Sequence, residues 1–438
     1  MSRILKLFFV CISIISLIQG QELPKCGTKE EQMELNGIYN EIDKIDDAYT
    51  SSSQQRSMDN QREIFNYTTY LSEPMVDRVL LGSNSMLYIA RSNGYGGITY
   101  ENYLYPEPKT KTPNNNQFSN DYGQSNLGGD VVYPQILAIL DYDNYEAYGK
   151  DVHKITQSIA GLFNNVDIRF RTLKSPQVRL NLAGLVIPMD RDAVPYLTYN
   201  LKDDLEASKP FDAMRQAGEY FLNRYGVYGI RRDSYDIVVL LTNKDMKDAY
   251  GWAYVGEACS ETLSVAIMTH KAKGENDYWI AAGTAHELGH LFGAYHDGDE
   301  TAKSCDSSAG HVMSGNRGKN AFTWSECSMS DMRNFFRSPR AGCLRNIPFV
   351  GRPYPRVLRG SFTTRDEQCK VHNGYGNLNY VASVNENNRH EQCYMQPCSW
   401  IGSDNYVSNR DMPLPPLDGT SCGNNKMCFA GQCVVDRE

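Results

Sequence analysis

Long hydrophobic runs and an excess of basic residues are both missing from this chain of 438 residues. Beyond the first twenty residues, no stretch approaches the roughly 18 consecutive apolar residues that a membrane-spanning helix needs. Lysine and arginine total 44 against 52 aspartate and glutamate residues, for a formal net charge of −8. General nucleic-acid binders carry a basic stripe, and none is visible, so the composition argues against that class. A hydrophobic content of 41% is enough for a packed core, and the length suggests two or three folded units.

The first twenty residues have the organisation of a secretory signal peptide. Arg3 and Lys6 form a basic start, residues 7–18 are largely apolar, and Gln19-Gly20 offers a cleavage point. Residues 1–20 are too short in their apolar part to span a membrane. We therefore expect a secreted, extracellular protein, whose cysteines can form disulfides in an oxidising environment.

Composition divides the remaining chain into three regions. Residues 21–130 are rich in Asn, Ser, Tyr and Gln and end in a solvated linker, so we interpret them as propeptide-like. Their one N-glycosylation sequon predicts a glycosylated surface position at Asn66. Residues 131–346 alternate predicted strands and helices, which is typical of an α/β fold, a mixed sheet with packed helices. Residues 347–438 hold six cysteines and few apolar runs, so this small module needs disulfides.

Hydrophobic periodicity assigns the individual elements of residues 131–346. Val166, Ile168 and Phe170 recur at every second position, which is the period of a strand. On the same reasoning we predict strands at 135–140, 166–170, 178–182, 237–241 and 264–268, and helices at 152–162, 211–225 and 278–291.

The strongest chemical signal is the sequence HELGHLFGAYH, which holds three of the eight histidines of the chain. His286 and His290 are four residues apart, so both imidazoles fall on one face of a helix and can bind one metal ion. Gly293 lets the chain turn sharply and bring in His296 as a third ligand. Three protein ligands and one open position define a catalytic zinc site, whereas a structural site has four ligands.

Glu287 projects beside these histidines, where it can hold a water on the open side of the metal and act as a general base. Two weaker interpretations remain, namely a surface helix with incidental histidines and a zinc site that has lost catalysis. The presence of the glutamate weighs against the second.

This motif resembles that of the metzincin zinc peptidases. Asp297, directly after the third histidine, resembles the adamalysin or reprolysin branch rather than other metzincin branches. The resemblance implies a zincin catalytic domain with an active-site helix and a methionine turn under the zinc, for which Met313 is the candidate. Residues 251–256 look like the family's approach to the strand that borders the cleft, which we expect at 264–268.

The same resemblance implies two disulfides in the catalytic domain. The cysteine at the end of the domain, Cys343, would pair with Cys259. The pair Cys305–Cys327 would flank the methionine turn. Spacing alone cannot give this connectivity.

A structural calcium ion is a further implication of the resemblance. Asp236, the carbonyl of Cys343 and Asn346 occupy positions that match the calcium ligands of the family. Gln135 stands where the family has a glutamate. An amide oxygen can bind calcium, but with one charge less the affinity should be lower.

The tail resembles the disintegrin-like/cysteine-rich module of thrombospondin-motif metalloproteases over residues 365–435. It has six cysteines where the usual pattern has eight, and the chain contains no Arg-Gly-Asp. Two interpretations stay open for this module, a stabilising cap and an exosite that binds substrate or a surface.

Parity singles out one cysteine. Eleven cysteines follow the signal peptide, four in the catalytic domain and six in the tail, so Cys26 is left over. Its surroundings, PKCG, resemble the PKxCG latency segment of the family, one residue shorter. The resemblance implies that the Cys26 thiolate fills the open zinc position in a precursor. Pairing of Cys26 between two chains is the alternative.

We therefore expect a secreted, monomeric zinc metalloendopeptidase that hydrolyses extracellular proteins. Short secreted members of the family resemble venom and salivary metalloproteases, which makes matrix or plasma-type substrates plausible. The alternative is a catalytically silent secreted binding protein that acts through the cysteine-rich module.

Overall fold

The computed structural model describes residues 86–103, 131–346, 348 and 358–435, with gaps at 95–96, 202–208, 224–225, 228, 247–248, 273–276, 316–319, 362, 373–379, 383–390, 394–395, 402–406 and 413–414. The predicted signal peptide, Cys26, Asn66 and the linker before residue 131 lie outside the described residues. Within the described part, no helix is long and apolar enough to cross a membrane.

A seven-stranded sheet organises residues 86–346, which we call the catalytic region because they include the predicted zinc motif. Two of its strands, β1 and β2, come from residues 21–130, the region interpreted as propeptide-like. Its strand order is β2-β1-β6-β4-β7-β9-β8, and the five inner strands run parallel while β2 and β8 are antiparallel at the two edges. A separate short pair joins β3 to β5. The strands are β1 (Met86–Ser92), β2 (Ile98–Tyr103), β3 (Val131–Val132), β4 (Gln135–Leu140), β5 (Gln177–Val178), β6 (Asn181–Pro188), β7 (Ile237–Thr242), β8 (Gly251–Ala253) and β9 (Val265–Thr269).

Helices cover both faces of this sheet. Because side chains alternate along a strand, Ile136 packs with Phe163 and Leu288 on one face, while Leu137 packs with Met214 on the other. This mixed sheet with packed helices confirms the predicted fold class. The helices are α1 (Tyr142–Ala147), α2 (Val152–Phe170), α3 (Pro195–Thr198), α4 (Lys209–Phe221), α5 (Asp277–Leu291), α6 (Glu326–Arg337) and α7 (Arg365–His372).

One predicted strand is wrong, because residues 166–170 form the last turns of α2. Phe170 packs into the core beneath the sheet, whereas Ile168 contacts Leu358 and Met427 of the C-terminal module. A helix that is buried on two sides carries apolar residues on two faces, and their spacing imitates that of a strand. The predicted strand at 178–182 falls across the end of β5 and the start of β6.

The described residues of the cysteine-rich module form two small antiparallel sheets and three disulfides, which are Cys369–Cys398, Cys393–Cys428 and Cys422–Cys433. Its core contains the half-cystines Cys393, Cys422, Cys428 and Cys433. Its strands are β10 (Tyr380–Ala382), β11 (Gln396–Ile401), β12 (Val407–Met412), β13 (Ser421–Gly423), β14 (Lys426–Phe429) and β15 (Gln432–Val435).

The module packs directly against the catalytic region. Leu417 contacts Ala321 and Phe322, in the segment that follows the predicted methionine turn. The buried Arg169 of α2 donates from Nε to the Ala321 carbonyl at 3.3 Å, and its guanidinium lies 4.8 Å from the centre of the Phe322 ring. Arg169 is also close enough to Asp418 of the module to lower the pKa of that carboxyl, which burial raises to about 6.

A buried polar chain makes a second contact between the two regions. Arg359, near the start of the module, donates to the Ser158 hydroxyl on α2. The Ser158 hydroxyl lies 2.6 Å from the Tyr148 hydroxyl, which in turn lies 2.9 Å from Nε2 of His270 at the end of β9. Burial, and to a smaller extent the charge of Arg359, lowers the pKa of His270 to about 3.

Candidate active site

Helix α5 carries the first half of the predicted zinc motif and ends where the motif needs a turn. The Gly293 amide donates to the His290 carbonyl, and Gly293 has a φ of +93°, a conformation that favours glycine. The chain then reverses and brings His296 to the end of the helix. The structure therefore places His286, His290 and His296 together, in the predicted arrangement.

The three imidazoles converge through their Nε2 atoms. These atoms lie 3.0 Å apart for His286 and His296, and 3.1 Å apart for each pair that includes His290. Nitrogen ligands of a tetrahedral zinc ion are about 3.3 Å apart. The donor set and its spacing therefore fit zinc.

Hydrogen bonds on the other ring nitrogens fix the tautomers of two of these histidines. Nδ1 of His286 donates to the Val312 carbonyl, and Nδ1 of His290 donates to the Ala294 carbonyl, both at 2.8 Å. Their Nε2 atoms are therefore lone-pair donors, as metal ligands must be. Burial is the main reason that the pKa of His290 falls to about 4, so this imidazole is neutral at pH 7.

Glu287 is buried beside the histidines and lies against the edge strand β8. A Cβ atom added at Gly251 would come within 2.7 Å of Oε1 of Glu287, so this position must be glycine for the carboxylate to occupy its place. The resemblance of residues 251–256 to the family's approach to the cleft does not predict this role for Gly251. A glycine inside a short strand is the signal that could have indicated a close approach.

Met313 is fully buried beneath the active-site helix. A Cβ atom at Gly289 would lie 2.9 Å from the Met313 sulfur, which puts the methionine directly against the helix between the two histidines. This is the position that the family resemblance gives to the methionine turn.

Asp297 has a structural role that the sequence did not reveal. Its buried carboxylate accepts hydrogen bonds from the hydroxyls of Ser314 and Ser325, and its amide donates to the Met313 carbonyl at 3.1 Å. The residue after the third histidine thus joins the methionine turn to the start of α6.

The strand that borders the cleft differs from the expectation. The strand at 264–268 was expected at the edge, but β9 lies between β7 and β8, and β8 is the edge. That prediction is wrong because β8 has only three residues, too few for its periodicity to be recognised. The Thr269 amide donates to the Tyr250 carbonyl, so the backbone groups of Tyr250 face β9. In an antiparallel pair, successive residues alternate between facing the partner strand and facing away from it. The backbone groups of Gly251 and Ala253 therefore point away from β9, toward the open edge of the sheet.

Disulfides join Cys259 to Cys343 and Cys305 to Cys327, with Cα–Cα distances of 5.7 and 6.1 Å. All ten cysteines of the described residues are in disulfides.

Two of the residues predicted to bind calcium, Gln135 and Asp236, lie at the amino ends of the parallel strands β4 and β7. Helix α1 follows the opposite, carboxyl end of β4. Oδ2 of Asp236 accepts a hydrogen bond from the Gln135 amide at 3.0 Å, and burial raises the pKa of Asp236 to about 7. The Tyr133 amide donates to the Leu344 carbonyl at 2.8 Å, which brings the end of the domain near the first central strand. Asn346 is exposed.

This fold and this histidine set have the arrangement of a zinc metalloprotease domain of the metzincin type. More specifically, residues 133–348 match the reprolysin (M12B) family of zinc metalloproteases, and residues 359–434 match ADAMTS cysteine-rich domain 2. The chain therefore contains a reprolysin-family metalloprotease domain followed by an ADAMTS-type cysteine-rich domain.

Curated relatives are named as metalloproteinases with thrombospondin motifs. A protein from Bombyx mori named "A disintegrin and metalloproteinase with thrombospondin motifs like" is 33% identical over 70% of this chain. The human proteins named "A disintegrin and metalloproteinase with thrombospondin motifs" 14 and 19 are 32% and 28% identical to this chain, each over 68% of its length. The chain spans 45% of the Bombyx mori protein and 23–24% of the human ones. Among solved structures, metalloproteinase-II from Bacteroides fragilis superposes on 49% of this chain and 54% of its own, with 17% identity and a TM-score of 0.30, too low to add to the assignment.

Proposed function

We propose that this protein is a secreted zinc-dependent endopeptidase that hydrolyses peptide bonds of extracellular proteins. The observation that carries the proposal is the convergence of three Nε2 atoms within 3.1 Å of one another beside the buried carboxylate of Glu287. The reprolysin match supports the same chemistry.

The three histidines and Glu287 have different roles in the proposed hydrolysis. His286, His290 and His296 would hold the zinc ion, which when bound supplies a Lewis acid and lowers the pKa of a water molecule. Glu287 accepts a proton from the attacking water and donates it to the leaving amine, first as base and then as acid. The outward backbone groups of β8 would hold the substrate as an added strand.

Replacing Glu287 with glutamine tests this assignment. Glu287→Gln keeps the size of the side chain and leaves the three histidines in place, but it removes the base. We expect the turnover of a quenched fluorogenic peptide to fall by at least about 100-fold, while zinc stays near one per chain by elemental analysis.

A matched control is Glu261→Gln, because Glu261 is exposed and lies outside the histidine cluster. This variant should keep wild-type turnover. Full activity in Glu287→Gln would contradict the role of the glutamate. A wild-type protein with a full complement of zinc that cleaves no peptide or protein would instead favour a silent binding protein that acts through its cysteine-rich module.

A structural calcium ion is a second part of the proposal. The buried carboxyl of Asp236 beside Gln135 supports it, since a buried acid with a raised pKa would gain from a cation. The Cys343 carbonyl and Asn346 would complete the ligand set. We expect calcium to raise the melting temperature of the wild type and to leave that of Asp236→Asn unchanged.

Latency through Cys26 is the third part. The five disulfides use every cysteine of the described residues, which supports the parity argument that leaves Cys26 over. A Cys26→Ser precursor should cleave peptide without processing. A latent mutant precursor, or a wild-type dimer joined through Cys26, would contradict the proposal.

A further inference from the structure

Aromatic side chains of β8 and its flanks lie at the edge of the sheet, and one aromatic ring of α4 lies against them. Tyr250, Trp252 and Tyr254 occur at every second position along β8 and its flanks, so they face the side of the sheet opposite to Gly251 and Ala253. The ring of Phe211, from α4, lies 5.0 Å from that of Trp252 and 6.3 Å from that of Tyr254, measured between centroids.

Three of these rings, Phe211, Trp252 and Tyr254, form what we call the aromatic cluster. Phe211 is 36% exposed, and both Trp252 and Tyr254 are only partly buried, so the cluster presents apolar surface to solvent. Contiguous exposed apolar surface on a protein often marks a binding site.

The charges next to the cluster neutralise one another. Arg215 of α4 lies 2.8 Å from Glu219 and 4.0 Å from Asp212, and Lys209 lies 3.6 Å from Asp212. Among the described residues, these four charges of α4 cancel, so the surface offers an apolar contact, which favours an apolar ligand.

The position of the cluster identifies its occupant as the substrate. A peptide that pairs antiparallel to β8 would bond to the outward backbone groups of Gly251 and Ala253, and its side chains would alternate between the two faces. The residue opposite Gly251 would lie on the face of Glu287. The residue opposite Trp252 would lie on the other face, directly at the aromatic cluster, because cross-strand neighbours share a face.

We propose that Phe211, Trp252 and Tyr254 form a specificity subsite for an aromatic or large aliphatic residue on the N-terminal side of the scissile bond. The direction follows from the antiparallel pairing, since the substrate residue opposite Trp252 precedes the one opposite Gly251. This inference rests on the proposed peptidase function and names a substrate class for it.

The test is a series of quenched peptides with Ala, Leu, Phe or Arg at each of the three positions that precede the scissile bond. At one of these positions, we expect kcat/KM of the full-length protein to be at least about 10-fold higher for Phe or Leu than for Ala. Phe211→Ala and Trp252→Ala should reduce this ratio toward one. Tyr199→Ala, which removes an exposed ring outside the cluster, should leave the ratio as in the wild type.

Phe211 is the safer of the two variants, because its ring is more exposed than that of Trp252 and its loss should not disturb folding. A ratio that survives in both variants would overturn the subsite, and so would the absence of any preference. A preference for Arg equal to that for Phe would overturn its apolar character.

Binding separates this inference from the function on which it rests. The same peptides, labelled for fluorescence polarisation, should bind to Glu287→Gln with the same preference for Phe over Ala. Preferential binding without any wild-type cleavage would refute the peptidase function and leave the subsite standing. Cleavage of all peptides at equal rates would refute the subsite and leave the function standing.

Discussion

The catalytic region and the cysteine-rich module reach a stable structure by different means. The catalytic region buries apolar residues on both faces of a seven-stranded sheet and adds two disulfides. The module has small sheets and three disulfides, and half-cystines make up much of its core. Disulfides should therefore decide whether the module folds, while in the catalytic region they reinforce a core that already exists.

The largest effect should come from removing a disulfide of the module. Cys393→Ser with Cys428→Ser deletes a disulfide of the buried cystine cluster. We expect the module to unfold, since such losses cost about 2–5 kcal/mol in small domains. Limited proteolysis with mass spectrometry should show cleavage confined to residues beyond 358.

The matched comparison is Cys305→Ser with Cys327→Ser in the catalytic region. This pair should lower the melting temperature and leave the sheet resistant to protease. Equal protease sensitivity in the two double variants would remove the contrast between the regions.

A smaller loss should follow from Arg169→Met, which removes the buried guanidinium between the two regions. The Ala321 carbonyl and the Asp418 carboxylate would lose their cationic neighbour, and we expect the free energy of unfolding to fall by about 3 kcal/mol. Chemical denaturation measures this change. Because the charge of Arg169 lowers the pKa of Asp418, the loss should be smaller in a background that carries Asp418→Asn.

The smallest predicted effect is a change in stability with pH that arises from His270, which is part of the buried series of hydrogen-bonded side chains. Its pKa is about 3 in the folded protein and 6.5 in an unfolded chain, so between these values the unfolded state binds more protons. Stability should therefore fall as the pH drops below 6.5. From pH 7 to pH 5, the wild type should lose about 2 kcal/mol relative to His270→Gln.

The sign of this pH effect distinguishes His270 from the buried acids. Burial raises the pKa of Asp141 and Asp418 to about 6, so these groups stabilise the fold as the pH falls from 7 toward 4. Denaturation of the wild type and of His270→Gln at several pH values isolates the histidine. A difference between the two proteins that does not change with pH would exclude it as the cause.

Local sequence patterns predict the histidine site of the catalytic region, but they do not predict the contacts of that region with the cysteine-rich module. The spacing of His286, His290 and His296 and the periodicity of α5 are local, so they could be recognised in a single segment. Ile168 misled the periodicity because it packs against a module almost 200 residues further on, which no local pattern records.

The contact of Gly251 with Glu287 and the placement of β8 at the edge arise from tertiary packing. So does the position of Phe211 against Trp252, since the two residues come from different elements. The sequence could therefore indicate the proposed metal site and its chemistry, whereas the surface proposed to select the substrate needed the structure.

The hydrogen bonds of the Asp297 carboxylate limit which segments can be exchanged between metzincin branches. The carboxylate accepts hydrogen bonds from the hydroxyls of Ser314 and Ser325 and a weaker one, at 3.4 Å, from the hydroxyl of Ser328. Any residue from another branch placed at 297 alone would meet three hydroxyls arranged for a carboxylate. A chimera should therefore transplant residues 296–328 as one block, because the acid that follows the third proposed zinc ligand anchors both the methionine turn and the start of α6.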